Sequence, residues 1–108
     1  MRGAPRDAVV EVPVARTADV APGTARQVVV QGAVIALSNV GGQLYAMDGV
    51  CVHRGGPLGE GDLQGKVLEC PLHGWTYDVT SGQSLVNPAA KLRMYPVAVR
   101  DGEIFLDL

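Results

Sequence analysis

Residues 51–78 read CVHRGGPLGEGDLQGKVLECPLHGWTYD, and this stretch contains every cysteine and every histidine of the 108-residue chain. Cys51 and His53 form a C-x-H motif, and Cys70 and His73 form a C-x-x-H motif further along. Two thiolates and two imidazoles are sufficient for a tetrahedral zinc site or for a mixed-ligand iron–sulfur cluster. The stretch therefore predicts a metal centre that is built by two loops.

The distribution of the four candidate ligands bears on which metal they would hold. A structural zinc site usually pairs cysteine with cysteine and histidine with histidine, whereas each loop here supplies one of each. If each loop gives its cysteine to one iron and its histidine to the other, the two loops can clamp a two-iron cluster between them. The arrangement favours the cluster, and a zinc-stabilised binding module is kept as an alternative of another class.

Taken as a whole, the chain has the composition of one small globular domain. Hydrophobic residues make up 47% and charged residues 19%, which excludes a disordered chain. The formal net charge is −2 and there is no dense basic stripe, so we do not expect nucleic acid as a partner. No apolar run approaches the roughly 20 residues that span a bilayer, and the N-terminus lacks the apolar region of a signal peptide. We expect a single domain over residues 1–108, no membrane association and a cytoplasmic location.

Short segments rich in β-branched residues lie on both sides of the metal-binding stretch, and one lies within it. Their lengths suit strands, and turn signals such as Asp101-Gly102 lie between them. Frequent glycine and proline leave no window for a long helix, with at most a single turn at residues 18–21. The pattern predicts an all-β, antiparallel domain. The predicted strands are residues 9–14, 28–37, 44–47, 67–68, 97–99 and 104–106.

The segment from residue 49 to residue 74 is dense in glycine, and this density predicts loops and not core. Glycine permits tight backbone paths and a close approach to a bulky group, which suits loops around an inorganic cofactor. We therefore expect a smaller cluster-binding subdomain at approximately residues 46–85, supported by the flanking strands.

The two boxes, CVHRGGPLGEG at residues 51–61 and CPLHGWTYD at residues 70–78, strongly resemble the cluster-binding boxes of the Rieske family. The resemblance implies a Rieske fold, in which an antiparallel, sandwich- or barrel-like β base carries the smaller two-loop subdomain. It also implies one [2Fe–2S] cluster. Cys51 and Cys70 would bind the buried iron through sulfur, and His53 and His73 would bind the outer iron through ring nitrogen with their edges toward solvent.

Four residues around the ligands have expected roles. The resemblance implies the roles of Tyr77 and Pro88, and those of Trp75 and Arg54 are inferred from their positions near the candidate ligand histidines. Tyr77 is expected to donate its hydroxyl to a cluster cysteine sulfur, that of Cys51, and so to favour the reduced form. Trp75 would shield the cluster or touch a partner, with ordinary loop packing as the alternative. Pro88 would lie in a loop covering the cluster's third side, with a plain turn as the alternative. Arg54 would give the rim a positive charge for docking, with a solvated arginine as the alternative.

Two departures from the respiratory members of the family indicate a lower reduction potential. Trp75 stands where those members have a serine donor, and two cysteines in total leave none for a disulfide between the loops. The resemblance then implies a soluble one-electron carrier, not an enzyme, between a flavin-dependent reductase using NADH or NADPH and a terminal, aromatic-ring oxygenase. Two redox alternatives are kept. The first is the small subunit of an assimilatory nitrite reductase. The second is an N-terminal fragment of an oxygenase catalytic subunit, and the short length of the chain argues against this second alternative.

Overall fold

The computed structural model describes residues 11–52, 55–72 and 74–108, and most of the regular structure within them is β-strand. Single turns of 3-10 helix occupy Thr17–Asp19 and Leu58–Glu60. The strands are β1 Glu11–Arg16, β2 Ala25–Val30, β3 Ala33–Val40, β4 Gln43–Asp48, β5 Asp62–Gln64, β6 Val67–Glu69, β7 Thr76–Asp78, β8 Gln83–Ser84, β9 Met94–Tyr95, β10 Val97–Arg100 and β11 Glu103–Asp107.

The strands form three antiparallel sheets. The first has three strands in the order β1-β11-β10, and the second has four in the order β2-β3-β4-β9. The third sheet, β5-β6-β7-β8, is built from chain that lies between β4 and β9 in sequence. The predicted all-β, antiparallel class is confirmed.

The second sheet is the middle layer, because β3 is buried on both of its faces. Ile35 and Leu37 pack on one side, in a core that also contains Ile104 and Leu106 of the first sheet. Ala36 points to the opposite side, into a core formed with both cysteines and the third sheet. Side chains alternate between the two faces of a strand, so a strand that is buried on both faces requires an unbroken apolar run such as AVIAL at residues 33–37.

The prediction of one strand over residues 28–37 is wrong. The segment turns at Gln31 and Gly32, whose φ values are +51° and +82°, and so forms the β2–β3 hairpin. Two successive residues with positive φ make a type I′ turn, which is usually signalled by asparagine or aspartate before glycine. Asp101 and Gly102 carry that signal, and they form the predicted turn between β10 and β11 with φ values of +52° and +76°.

The prediction that the glycine-dense segment is loop and not core is wrong, because Leu58, Leu63 and Leu68 of this segment are buried in the core that contains the cysteines. The segment contains β5 and β6, and the β5 strand was missed because its three residues are too few to show alternation. The predicted strand at residues 9–14 lies partly outside the described residues, and its described part belongs to β1. Within the described ranges, no helix has the length and apolarity needed to cross a bilayer. The single domain over 1–108 and the subdomain at 46–85 stay predictions.

Candidate metal centre

The first loop leaves β4 and is closed at its base by the backbone of Cys51. The Cys51 N–H donates to the Gly56 carbonyl at 2.9 Å, and the Gly55 N–H donates back to the Cys51 carbonyl at 2.8 Å. Gly55 has a φ of +72°, a conformation that costs glycine little and most other residues more. The loop therefore holds Cys51 at a fixed position beside the second sheet.

The second loop follows β6 and is built in the same way around Cys70. The Cys70 N–H donates to the Trp75 carbonyl at 2.7 Å, which closes the segment between the two residues. Trp75 leads directly into β7, so the loop joins two neighbouring strands of the third sheet. Each candidate cysteine thus lies at the base of its loop, and the backbone N–H of that cysteine makes the hydrogen bond that closes the loop.

The two loops bring the cysteine side chains together in the interior. Cys51 and Cys70 are each 2% exposed. A Cβ added at Gly56 of the first loop would collide with the Cys70 Sγ of the second loop, so the loops are in direct contact. Burial raises the pKa of the Cys70 thiol, and the neighbouring Cys51 raises this pKa further. The two thiols form one buried pair.

Tyr77 places its hydroxyl against the first sulfur. The ring is fully buried on β7, and the hydroxyl oxygen lies 3.2 Å from Cys51 Sγ. The Val52 N–H donates to the same oxygen at 3.2 Å. Because this amide uses an acceptor site of the hydroxyl, the Tyr77 O–H remains available to donate to the sulfur. Burial and the nearby Cys51 thiol both raise the pKa of Tyr77, which keeps the donor proton in place.

The second sulfur also receives a hydrogen bond. The Leu72 N–H donates to Cys70 Sγ at 3.4 Å. This amide lowers the pKa of the Cys70 thiol, in opposition to burial, because an N–H donor stabilises negative charge on sulfur. Two adjacent buried sulfurs, each facing a donor, fit the thiolate half of a mixed-ligand metal site.

A glycine contact seats the first loop on the second sheet. The 3-10 turn that ends this loop packs on β2. A Cβ added at Gly59 would lie 2.5 Å from the Gln27 Cα, closer than any real Cβ contact, so only glycine fits without displacement. The Leu58 N–H donates to the Gly49 carbonyl at 2.9 Å on the other side of the loop. The loop is therefore positioned by backbone contacts with the base of the fold.

The strand that enters the first loop is fixed by a polar contact. The Tyr95 hydroxyl of β9 donates to Asp48 Oδ1 at 2.6 Å, and the Asp48 N–H donates to the Arg93 carbonyl at 2.9 Å. The Arg93 guanidinium stacks over the Tyr95 ring at 4.8 Å from its centroid. Burial, and then the Asp48 carboxylate, raise the pKa of Tyr95, so the phenol stays protonated and donates.

Negative charge lies on one side of the second loop. An open hollow beside Cys70 is lined by Glu60, Asp62 and Glu69, and the last two face each other across β5 and β6. Within the described ranges, this hollow contains no positively charged side chain. Carboxylates close to a redox centre disfavour an added electron, although solvent screens exposed ones.

The remaining predicted site residues have different placements. His53, Arg54 and His73 lie outside the described residues. Trp75 is half-buried and packs against the core that contains the cysteines, and Pro88 is exposed in the segment after β8. The ligand set and the roles of these residues stay predictions.

Sequence reasoning missed the backbone groups of this site. The Val52 amide contacts Tyr77, and the Leu72 amide contacts Cys70. Every residue except proline has such an amide, so the residue type does not indicate this role. Gly56 and Gly59 were seen only as loop glycines. Their close contacts depend on what lies opposite, which the sequence does not record.

The fold and the two loops define a recognised class. Residues 10–96 match the Rieske [2Fe-2S] domain family, and the chain belongs to this family. The ferredoxin component of the naphthalene 1,2-dioxygenase system of Pseudomonas putida is 35% identical over 91 residues, which are 83% of this chain and 88% of that protein.

Two solved structures extend the comparison to three dimensions. A chain in the complex of reduced oxygenase and oxidized ferredoxin of carbazole 1,9a-dioxygenase superposes with a TM-score of 0.82 at 36% identity, covering 91% of this chain and 93% of that one. The ferredoxin of Sphingomonas yanoikuyae B1 gives a TM-score of 0.84 at 28% identity, covering 92% and 99%.

These likenesses confirm the Rieske fold and one Rieske-type [2Fe–2S] cluster, where the sequence left a single zinc ion as an alternative. The related proteins are ferredoxin components, so this chain is an electron-transfer protein and not a catalytic subunit.

Proposed function

We propose that the cluster is held by Cys51 and Cys70 through sulfur and by His53 and His73 through ring nitrogen. The observation that carries this proposal is the buried pair of thiols, brought together from two loops that are closed in the same way. Each loop has a histidine two or three residues after its cysteine, as a ligand set shared between two irons requires. The cysteines of the two loops would bind one iron and the histidines the other.

When bound, such a cluster takes up and returns one electron, and Rieske centres span roughly −150 to +300 mV. The residues of this chain set where the potential falls in that range. The Tyr77 hydroxyl and the Leu72 amide favour the reduced form, because hydrogen bonds to sulfur stabilise added negative charge. The carboxylates of Glu60, Asp62 and Glu69 oppose it. We infer a low to intermediate potential.

The proposed partners are a flavin-dependent reductase using NADH or NADPH, which supplies the electron, and a terminal, aromatic-ring oxygenase, which receives it. The similarity to the ferredoxin component of a naphthalene dioxygenase system supports the oxygenase. The similarity to a structure of a ferredoxin with its oxygenase supports direct docking. Arg54 would contribute a positive charge to that contact, and Trp75 an aromatic surface. We place the protein in the cytoplasm, without a membrane or nucleic-acid partner.

The ligand set is tested by electron paramagnetic resonance of the dithionite-reduced protein. A cluster with two nitrogen ligands gives an average g value below that of an all-cysteine cluster. His53→Cys and His73→Cys should each raise this average, whereas Gln64→Cys, at an exposed position on β5, should leave it unchanged. An unchanged spectrum in either histidine variant would remove that histidine from the ligand set.

The electron route is tested with the oxygenase component of the naphthalene 1,2-dioxygenase system. The reduced protein is mixed with oxidised oxygenase without oxygen, and reoxidation is followed by stopped-flow absorbance. Transfer faster than that from a small inorganic reductant of equal potential supports docking to an oxygenase. Transfer only to a sirohaem nitrite reductase would instead support the nitrite reductase alternative.

A further inference from the structure

Gln83 uses its side chain to close the segment that follows β8. Its amide nitrogen Nε2 lies 2.9 Å from the Ala90 carbonyl and 3.2 Å from the carbonyls of Ser84 and Pro88. Three acceptors around one atom identify it as the NH₂ end of the amide, whose two hydrogens are shared among them. One side chain therefore ties together both ends and the middle of the segment 84–90.

Ser84 completes this closure from inside the segment. Its hydroxyl oxygen accepts the N–H groups of Val86 at 3.1 Å and Asn87 at 3.0 Å, and its own N–H donates to the Ala90 carbonyl at 3.0 Å. Ser84 is 3% exposed, whereas the residues after it are exposed. The segment is thus an ordered loop with a buried polar base.

The closed segment rests on the strand that carries Tyr77. Ser84 stands directly opposite Tyr77 in the β7–β8 ladder, and the Leu85 N–H donates to the Thr76 carbonyl at 2.8 Å. Residues directly opposite in an antiparallel pair have side chains on the same face. Ser84 is therefore the cross-strand neighbour of the residue whose hydroxyl lies 3.2 Å from Cys51 Sγ.

The β8 strand is too short to hold this position by its ladder alone. It contains two residues, which pair with Tyr77 and Asp78 of β7, and Gln83 also forms an isolated bridge with Lys91. A pair of strands this short is only marginally stable by itself. The side-chain bonds of Gln83 add to the same few residues, so they stabilise the register opposite Tyr77.

We propose that Gln83 is a positioning residue of the cluster centre, which holds the 84–90 segment closed and thereby keeps the Tyr77 hydroxyl at hydrogen-bond distance from Cys51 Sγ. This inference rests on the proposed ligation by Cys51. Loss of the Gln83 bonds loosens β8 and weakens the Tyr77 hydrogen bond. The reduced form is then stabilised less, and the reduction potential falls.

The main variant is Gln83→Met, which keeps an unbranched side chain of similar length and removes the donor. We expect amide hydrogen exchange in the 84–90 segment, measured by mass spectrometry, to become about fivefold faster, as the loss of one net hydrogen bond of about 1 kcal/mol implies. The midpoint potential should fall by part of the shift that Tyr77→Phe produces. Gln83→Leu, which also removes the donor and adds no charge, should act in the same direction and serves if the methionine variant folds poorly.

A double-mutant cycle decides whether the effect passes through Tyr77. In the Tyr77→Phe background, Gln83→Met should no longer change the potential, because the hydrogen bond that it supports is already absent. Exchange in the 84–90 segment should still accelerate in that background. An equal shift in both backgrounds, a rise of the potential, or unchanged exchange would each overturn the proposal.

Two matched controls separate positioning from general destabilisation. Gln43→Met removes an exposed glutamine side chain from β4, outside the hollow that is lined by the three carboxylates. Ile104→Val destabilises the core on the other side of the second sheet. Neither should move the potential. A parent protein without the low average g value would refute the proposed ligand set instead, so the two failures are distinguishable.

Discussion

Replacing Tyr77 by phenylalanine removes one hydroxyl from the buried face of β7 and leaves the ring in place. The hydroxyl has two contacts, each at 3.2 Å, one with the Cys51 sulfur and one with the Val52 N–H. Its loss therefore has two separable effects. The first concerns the electron affinity of the cluster, and the second concerns the stability of the first loop.

The size of the first effect follows from the charge on the sulfur. A hydrogen bond to a charged group contributes roughly 1.5–3 kcal/mol, and only the part that strengthens on reduction changes the potential. If that part is about 1 kcal/mol, the one-electron potential falls by about 40 mV, since tenfold in equilibrium corresponds to 59 mV. The second effect is the unsatisfied Val52 amide, which costs about 1 kcal/mol because this backbone is only partly buried.

The assay is protein-film voltammetry on Tyr77→Phe and on Tyr45→Phe, which deletes the same atom from a half-buried tyrosine of β4. We expect the potential to fall in the first variant and to stay at the parent value in the second. Denaturant unfolding of the same proteins measures the loss of stability. A potential that is unchanged or higher in Tyr77→Phe, with the cluster loaded, would refute the reasoning.

Three further predictions concern the free energy of unfolding, measured by denaturant titration. Tyr95→Phe removes the 2.6 Å hydrogen bond to Asp48 and should cost about 1 kcal/mol, whereas a cost near zero would show that this contact does not anchor β4. Asp78→Ala removes the acceptor of both the Thr80 amide and the Thr80 hydroxyl and should cost about 1–2 kcal/mol at pH 7. Because the Thr80 hydroxyl bond lowers the pKa of Asp78, this contribution is present above about pH 4 and is lost below it, so a pH-independent difference would contradict the assignment. Leu106→Ala empties a fully buried position and should cost about 2–5 kcal/mol, and a value below this range would show that the core collapses around the change.

The sequence was sufficient for the fold class because the β-branched segments and their turn signals are local. It failed at Gln31 and Gly32, where a turn with positive φ at both residues was formed without the usual asparagine or aspartate. It also failed at β5, a strand of three residues that exists through pairing with β6. In both cases the structure is determined by the partner strand, and propensity alone does not carry that information.

The candidate site was predictable to the extent that it consists of side chains with distinctive chemistry. The contact of Tyr77 with Cys51 was expected from the family resemblance, and the structure has the two groups 3.2 Å apart. The amide of Leu72 and the glutamine at position 83 were not expected. A backbone donor and a common polar side chain acquire their roles only from the atoms around them.

The two-sided burial of β3 connects the cores beside the first and third sheets through one strand. Ala36 belongs to the core around the cysteines, while Ile35 and Leu37 on the same strand belong to the core that contains Ile104. A cofactor that binds only the native state stabilises every segment that must open for that state to unfold. Loading of the cluster should therefore slow the hydrogen exchange of β11 amides in the first sheet, on the far side of the middle layer. Loss of iron should accelerate the exchange of the same amides.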